Sequence, residues 1–158
     1  MNAAWLRRWA GALWVGLKHV DLERACALVL VLGLGSVLGL AGYLDPSPLG
    51  HGTHQQLGLA GCSFLTLTGY ACPMCGATTT FALMADLRWL EGFLNQPFAA
   101  LLFCVTVCTF ILSLWEVVQP RQRWSRVLGW LEPWELRVAL GALAVMSFSW
   151  FYKLWQMA

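Results

Sequence analysis

The sequence ACALVLVLGLGSVLGLAGYL, residues 25–44, decides the fold, because it is long, apolar and free of charged side chains. A helix needs about 20 apolar residues to cross the hydrocarbon core of a bilayer, and this stretch has that length. It ends at Asp45-Pro46, where the proline stops a helix. The stretch therefore predicts a transmembrane helix.

The composition of the whole chain indicates the same class of protein. Hydrophobic residues make up 59% of the 158 residues and charged residues 11%, where a soluble domain carries about 25% charged residues. The ten tryptophans are typical of proteins whose aromatic rings collect at bilayer surfaces. The sequence contains no phosphate-binding loop, nucleophile elbow or paired-carboxylate motif, and nothing in it indicates nucleic-acid binding. We predict an integral membrane protein whose main partner is the lipid bilayer.

Two further stretches are long enough to cross the membrane. Residues 97–118 begin with a proline at a tolerated first-turn position. Residues 138–155 are shorter, and we expect Lys153 near their end to extend its ammonium group to the membrane surface. The predicted fold is all-α, with three transmembrane helices in one domain, residues 1–158. Its parts are a basic N-terminal segment (1–24), a first span (25–44), an outer segment that contains cysteines (45–96), a second span (97–118), a basic loop (119–137) and a third span (138–155).

Basic residues indicate the orientation of these spans. They cluster before the first span and between the second and third, whereas the segment 45–96 holds only Arg88. Cytoplasmic loops are enriched in Lys and Arg, so three spans place the N-terminus and both clusters in the cytoplasm and the cysteines outside. The clusters are Arg7, Arg8, Lys18 and Arg24, and Arg121, Arg123, Arg126 and Arg137.

A fourth span is the alternative, because residues 46–85 carry no formal charge. A full crossing there would move the 121–126 cluster to the outside and would thread prolines and glycines through the bilayer. Irregular backbone cannot face lipid. We therefore predict a re-entrant or interfacial helical segment that contains the cysteines.

Three glycines in the first span, Gly35, Gly39 and Gly42, share one face of the predicted helix. Small residues let a second helix approach closely. We expect this face to pack against another helix of the same chain, and contact with a second subunit is the alternative.

The sequence TGYACPMCGATTT, residues 68–80, carries the clearest chemical signal. A Cys-x-x-Cys pair at the start of a helix brings both sulfurs to one turn, and the helix dipole favours a thiolate at the first cysteine. We therefore predict that Cys72 caps a helix, that Pro73 is its first residue, and that the helix continues through residues 76–94.

Three roles are compatible with these cysteines. An oxidising outer compartment favours a structural disulfide among Cys62, Cys72 and Cys75. A redox role would use Cys72 as the attacking thiolate and Cys75 as the resolving thiol. A zinc site would combine Cys72 and Cys75 with His51 and His54, and the methionine between the cysteines is a soft ligand that suits copper. No other cofactor is implied.

Residues 61–97 resemble a family of small bacterial membrane proteins known only as a domain of unknown function. The mark of that family is Cys-Pro-x-Cys-Gly-x-Thr-Arg, preceded by a further cysteine and a Thr-Gly pair. The positions that fit are Cys62, Thr68, Gly69, Cys72, Pro73, Cys75, Gly76 and Thr78. Thr79 stands where the family usually has arginine, so a role of that arginine does not transfer to this chain. The resemblance implies a multi-pass protein of the bacterial cell (inner) membrane and carries no mechanism.

We expect a non-catalytic role, as a small accessory or scaffold subunit of a membrane assembly. Such a subunit needs helix-packing faces and a stiffened outer segment, and other membrane-protein subunits would be its partners. The alternatives are a membrane thiol–disulfide oxidoreductase that uses Cys72 and Cys75 and a zinc- or copper-binding membrane module. Charged residues inside a membrane usually indicate a transport path, and none is placed in the middle of a span, so a transporter or channel is disfavoured.

Overall fold

The structure, a computed structural model, describes the backbone of residues 3–157 and the side chains of residues 22–157. These residues form helices and connecting turns and contain no strand, which confirms the all-α prediction. The helices are α1 (Ala3–Tyr43), α2 (Ser63–Thr68), α3 (Ala77–Ala85), α4 (Trp89–Asn95), α5 (Pro97–Val118), α6 (Arg123–Leu131) and α7 (Glu135–Met157), with short 3₁₀ helices at Thr53–Leu57 and Glu132–Trp134. The side chains of the predicted basic residues Arg7, Arg8 and Lys18 lie outside the described range.

Three segments of the described chain are long and apolar enough to cross a membrane, as predicted. They are Leu22–Tyr43, Pro97–Val118 and Arg123–Met157. The third includes α6, the 3₁₀ helix Glu132–Trp134 and α7. The segment between the first two contains the cysteines and folds into short helices, and its depth in the bilayer stays a prediction.

Helix α1 packs along α5 and against α3. Gly35 lies at the contact with α5, where an added Cβ would come within 3.2 Å of the ring of Phe110. An added Cβ at Gly42 would be 4.0 Å from Ala85, whereas one at Gly39 would meet no atom within 4 Å. The predicted glycine face therefore borders two helices of the same chain at Gly35 and Gly42.

The two ends of the bundle differ in chemistry. At one end, Ser125 at the start of α6 donates a hydrogen bond to Glu23 of α1, which brings Arg24 and the 121–126 cluster to the same end. At the other end, Trp150 of α7 donates to Ala71, beside the cysteines. Three spans produce this arrangement because they alternate in direction, so the basic residues and the cysteines lie at opposite ends.

Glu116, near the end of the second span, is completely buried in the structure. Its carboxylate accepts backbone N–H hydrogen bonds from Arg121 at 2.7 Å, Gln122 at 2.9 Å and Arg123 at 3.2 Å. The guanidinium of Arg123 donates a further bond at 3.2 Å. The carboxylate is buried because the turn between α5 and α6 directs all these donors to one point.

The predicted helix from Cys72 to residue 94 is wrong. Residues 72–76 form turns, in which the Cys75 N–H donates to the Cys72 carbonyl at 2.9 Å, and α3 begins only after Gly76, whose φ is 87°. A second break follows at Leu87, whose φ is 62°, between α3 and α4. The left-handed conformation at these two positions ends the helical hydrogen-bond ladder, so α3 and α4 are separate short helices.

Candidate functional site

Three cysteines from two segments line one pocket of about 680 Å³ at the end of the bundle. Cys62 immediately precedes α2, and Cys72 and Cys75 lie in the turn that connects α2 to α3. Helix α2 ends at Gly69, whose φ is 75°, and Cys62 and Cys72, on either side of this helix, are neighbours. All three are free thiols, of which Cys75 is buried and the other two are partly exposed. We call this space the thiol pocket.

The turn that holds Cys72 and Cys75 is tied to the junction between α4 and α5. The side-chain amide of Gln96 donates to the Pro73 carbonyl at 2.8 Å, and the amide of Asn95 donates to the Gly76 carbonyl at 3.2 Å. The Pro73 carbonyl would be an internal acceptor if residues 72–94 were one helix, and the bond from Gln96 takes the place of that helical bond. The Gly76 carbonyl accepts both the Thr80 N–H of α3, at 2.8 Å, and the Asn95 amide, so it fixes the turn to the start of α3.

Helix α7 also forms hydrogen bonds with the segment that contains the cysteines. The Trp150 indole donates to the Ala71 carbonyl at 2.8 Å. The Lys153 ammonium donates to the Asn95 side-chain oxygen at 2.8 Å and to the Gly50 carbonyl at 3.2 Å. Lys153 is only 2% exposed. The prediction that its ammonium extends to the membrane surface is wrong, because polar groups of the cysteine segment lie close enough to receive it.

The three thiols differ in acidity. The Leu65 backbone N–H at the start of α2 is the main cause of a lowered pKa at Cys62, and the neighbouring Cys72 thiol lowers that pKa further. Burial, followed by the interaction with Cys62, raises the pKa of Cys72 to about 11. Burial also raises the pKa of Cys75. The raised pKa of Cys72 does not favour the predicted thiolate there, and Cys62 is the one thiol of the three whose pKa is lowered.

Both candidate histidines lie on the wall of the thiol pocket. The Nε2 atom of His54 is 3.1 Å from the Ala60 carbonyl oxygen. Burial, with a smaller contribution from the positive charge of Lys153, lowers the pKa of His51. Among residues 22–157, no three side chains of His, Cys, Asp or Glu are grouped closely enough to hold a metal ion. Zinc or copper binding by Cys72, Cys75, His51 and His54 stays a prediction.

Several residues that shape the pocket were not predicted from the sequence. Thr79, which replaces the arginine of the resembled motif, is fully buried, and its hydroxyl is 2.8 Å from that of Thr53. The amides of Asn95 and Gln96 could not have been assigned from their position before a span. The buried position of Lys153 could have been predicted, because a cation within an apolar span usually has a buried partner.

The fold and the pocket define a class, a multi-pass helical membrane protein with a cluster of thiols at one end of its bundle. Residues 62–110 are similar to a family described as "Protein of unknown function (DUF2752)". The match begins at Cys62 and includes the thiol turn, α3, α4 and the first part of α5. No curated protein and no solved structure matches the chain. The match supports the resemblance to an uncharacterised family, and the arginine-containing motif stays a prediction.

Proposed function

We propose that this protein is a membrane thiol–disulfide oxidoreductase in which Cys62 attacks and Cys72 resolves. The observation that supports the proposal is the convergence of three thiols of unequal acidity on one open pocket. A structural disulfide needs no such opening. The attacking group in exchange is a thiolate, and Cys62 is the most acidic of the three. This proposal replaces the sequence-based assignment of Cys72 as the attacking group and Cys75 as its partner.

The exchange needs no reactant beyond a disulfide and two thiols. The Cys62 thiolate attacks one sulfur of a substrate disulfide, forms a mixed disulfide and releases the other substrate sulfur as a thiolate, which takes up a proton. Cys72 then loses its proton and attacks the Cys62 sulfur. The second substrate thiolate leaves, and a Cys62–Cys72 disulfide remains. The substrate disulfide has been reduced by two electrons, and the two protein thiols have been oxidised by two.

Cys75 gives the pocket a second way to hold a disulfide. It is next to Cys72 in the same turn, and its backbone N–H bonds to the Cys72 carbonyl. Attack by Cys75 on the Cys72 sulfur would move the disulfide to the Cys72–Cys75 pair and release Cys62 as a thiolate. This step accounts for an odd number of cysteines in the pocket.

We further propose that the protein lies in the bacterial inner membrane, with the N-terminus in the cytoplasm and the thiol pocket outside. The separation of the basic residues near Glu23 and Ser125 from the cysteines, at opposite ends of the bundle, supports this orientation. An outer pocket would meet the thiols and disulfides of secreted or membrane proteins. An accessory or scaffold role in a membrane assembly stays a prediction.

The orientation predicts the labelling of the cysteines in cells. After outer-membrane permeabilisation and reduction, a membrane-impermeant maleimide is expected to label Cys62 in a chain that keeps only this cysteine. A chain that keeps only Cys26 should remain unlabelled until the inner membrane is opened, because Cys26 lies at the opposite end. A chain with only Cys108, in the middle of α5, controls for reagent that enters the bilayer. Labelling of Cys26 from the outside would invert the orientation.

Adduct trapping tests the exchange chemistry. Purified Cys72→Ser protein treated with oxidised glutathione is expected to accumulate a stable glutathione adduct on Cys62, because the resolving thiol is absent. The wild-type protein should pass to an internal disulfide, and Cys62→Ser should form no adduct at Cys72 at neutral pH. Mass spectrometry of peptides identifies the modified cysteine.

Cys108→Ser is the matched control, since it removes a thiol that is remote from the pocket, and its reaction should equal that of the wild-type protein. Abundance distinguishes exchange from a structural role. If Cys72→Ser accumulates poorly in cells and forms no adduct on Cys62, the cysteines are a structural disulfide and the proposed function is wrong.

A further inference from the structure

Lys153 is a buried cation whose partners are not carboxylates. It lies in the third span, and no Asp or Glu of residues 22–157 forms an ion pair with it. Its ammonium donates to the Asn95 side-chain oxygen at 2.8 Å, the Gly50 carbonyl at 3.2 Å and the Asn95 carbonyl at 3.4 Å. Three acceptors satisfy the three N–H donors of an ammonium group. The positive charge itself remains uncompensated, and a buried charge without an opposite charge is unfavourable.

The contacts of Lys153 place this charge behind the thiol pocket. Asn95 accepts from Lys153 and donates to the Gly76 carbonyl, so one side chain connects the ammonium to the residue after Cys75. An added Cβ at Gly76 would lie 3.4 Å from the Cε of Lys153. Gly50, the other acceptor, precedes His51 on the pocket wall. The cation is therefore fixed against the turn that contains Cys75.

We propose that Lys153 is a positioning residue of the thiol pocket and that its ammonium is the counter-charge for a thiolate at Cys75. This inference rests on the proposed exchange function and assigns the charge that the third thiol needs. The titratable groups that face Cys75 are Cys62, Cys72 and Lys153, and only Lys153 acts to lower the pKa of Cys75 through its charge. His51 also faces Lys153, and burial and the charge of Lys153 lower its pKa, which favours its neutral form.

The charge of Lys153 affects the redox state of the pocket. A thiolate at Cys75 gives the ammonium an opposite charge, whereas a Cys72–Cys75 disulfide is neutral. Lys153 therefore favours the reduced pair over the disulfide, and it favours Cys75 as a leaving group when that disulfide is attacked.

The test uses a chain in which Cys75 is the only cysteine, alkylated with iodoacetamide as a function of pH. Lys153→Met is expected to slow alkylation about tenfold at pH 8 and to raise the midpoint of the profile, one pKa unit being a tenfold change in thiolate fraction. Trp150→Phe is the matched control, because it removes a hydrogen bond from α7 to the same turn without removing a charge. It should leave the midpoint unchanged. Lys153→Arg, which keeps the charge, should restore most of the rate.

An unchanged midpoint in folded Lys153→Met, or an equal shift in Trp150→Phe, overturns the proposal. If Lys153→Met does not accumulate, the abundance of Cys75→Asp, compared with that of Cys75→Asn, tests the proposal instead. With Lys153 as counter-charge, Cys75→Asp should accumulate as well as Cys75→Asn, whereas loss of Cys75→Asp alone overturns the proposal. The single-cysteine chain cannot perform exchange, so these results are independent of adduct trapping at Cys62.

Discussion

Gly76→Ala is expected to destabilise the protein by about 3 kcal/mol, the sum of backbone strain and overpacking. Gly76 has a φ of 87°, a conformation that alanine adopts only with strain. An added Cβ would also collide with the Gly50 carbonyl oxygen and would lie 3.1 Å from the side-chain nitrogen of Asn95. Neither atom can move freely, because Lys153 binds both residues. The substitution should therefore lower the apparent melting temperature in detergent and loosen the thiol turn.

Gly69→Ala is the matched control for this substitution. Gly69 has a similar φ of 75°, but an added Cβ there would meet no atom within 4 Å. The loss of stability in Gly69→Ala should therefore reflect backbone strain alone, about 1 kcal/mol. Melting in one detergent, with Cys62 alkylation as a local probe, compares the two variants. Equal losses of stability would show that the contact of Gly76 with Gly50 and Asn95 is unimportant.

Glu116→Ala is expected to destabilise the protein by about 3 kcal/mol, which is the effect of removing one partner of a buried ion pair. The substitution leaves the backbone N–H groups of residues 121–123 without their acceptor. It also leaves the Arg123 guanidinium without its carboxylate. Gln122 has a φ of 53°, and its strained backbone depends on the same carboxylate. The start of α6 should therefore become less ordered, and the third span should insert less efficiently.

Two controls separate this effect from a general loss of charge. Glu91→Ala breaks an exposed ion pair with Arg88 and should leave the abundance and melting temperature unchanged, because solvent screens that pair. Glu116→Gln keeps one acceptor oxygen and should give an intermediate loss. Thiol reactivity at the other end of the bundle should be retained in whatever Glu116→Ala protein remains folded. If Glu116→Ala is as stable as Glu91→Ala, the carboxylate is not the centre of this turn.

The membrane fold could be predicted because it depends on features that act along the chain. The length of an apolar helix must match the bilayer, so residues 25–44 and 97–118 indicated their spans without tertiary information. The placement of the basic residues at the end opposite the cysteines follows from the alternating direction of three spans. For the same reason, the sequence showed that Cys62, Cys72 and Cys75 belong to one segment outside the first two spans.

The conformation of the cysteine segment could not be predicted, because local signals there favour a helix. Cys72-Pro73 has the form of a helix start, yet the Pro73 carbonyl bonds to Gln96, a residue more than twenty positions away in sequence. Lys153 was assigned to the membrane surface on the general preference of charged side chains for water. In the structure, acceptors from Gly50 and Asn95, distant in sequence, surround its ammonium group.

The sequence by itself determined a helical membrane protein with three spans and a cysteine segment between the first two, because bilayer thickness and hydrophobicity leave few other solutions. Only the tertiary structure decided the chemistry of that segment. The short helix α2 makes Cys62 a neighbour of Cys72 and lowers the pKa of Cys62 through the Leu65 N–H. Helix α7 brings Lys153 to within hydrogen-bonding distance of Asn95 and Gly50. The acidity of Cys62 depends on a backbone N–H nearby in sequence that the start of α2 positions, whereas the charge of Lys153 depends on acceptors from distant parts of the chain.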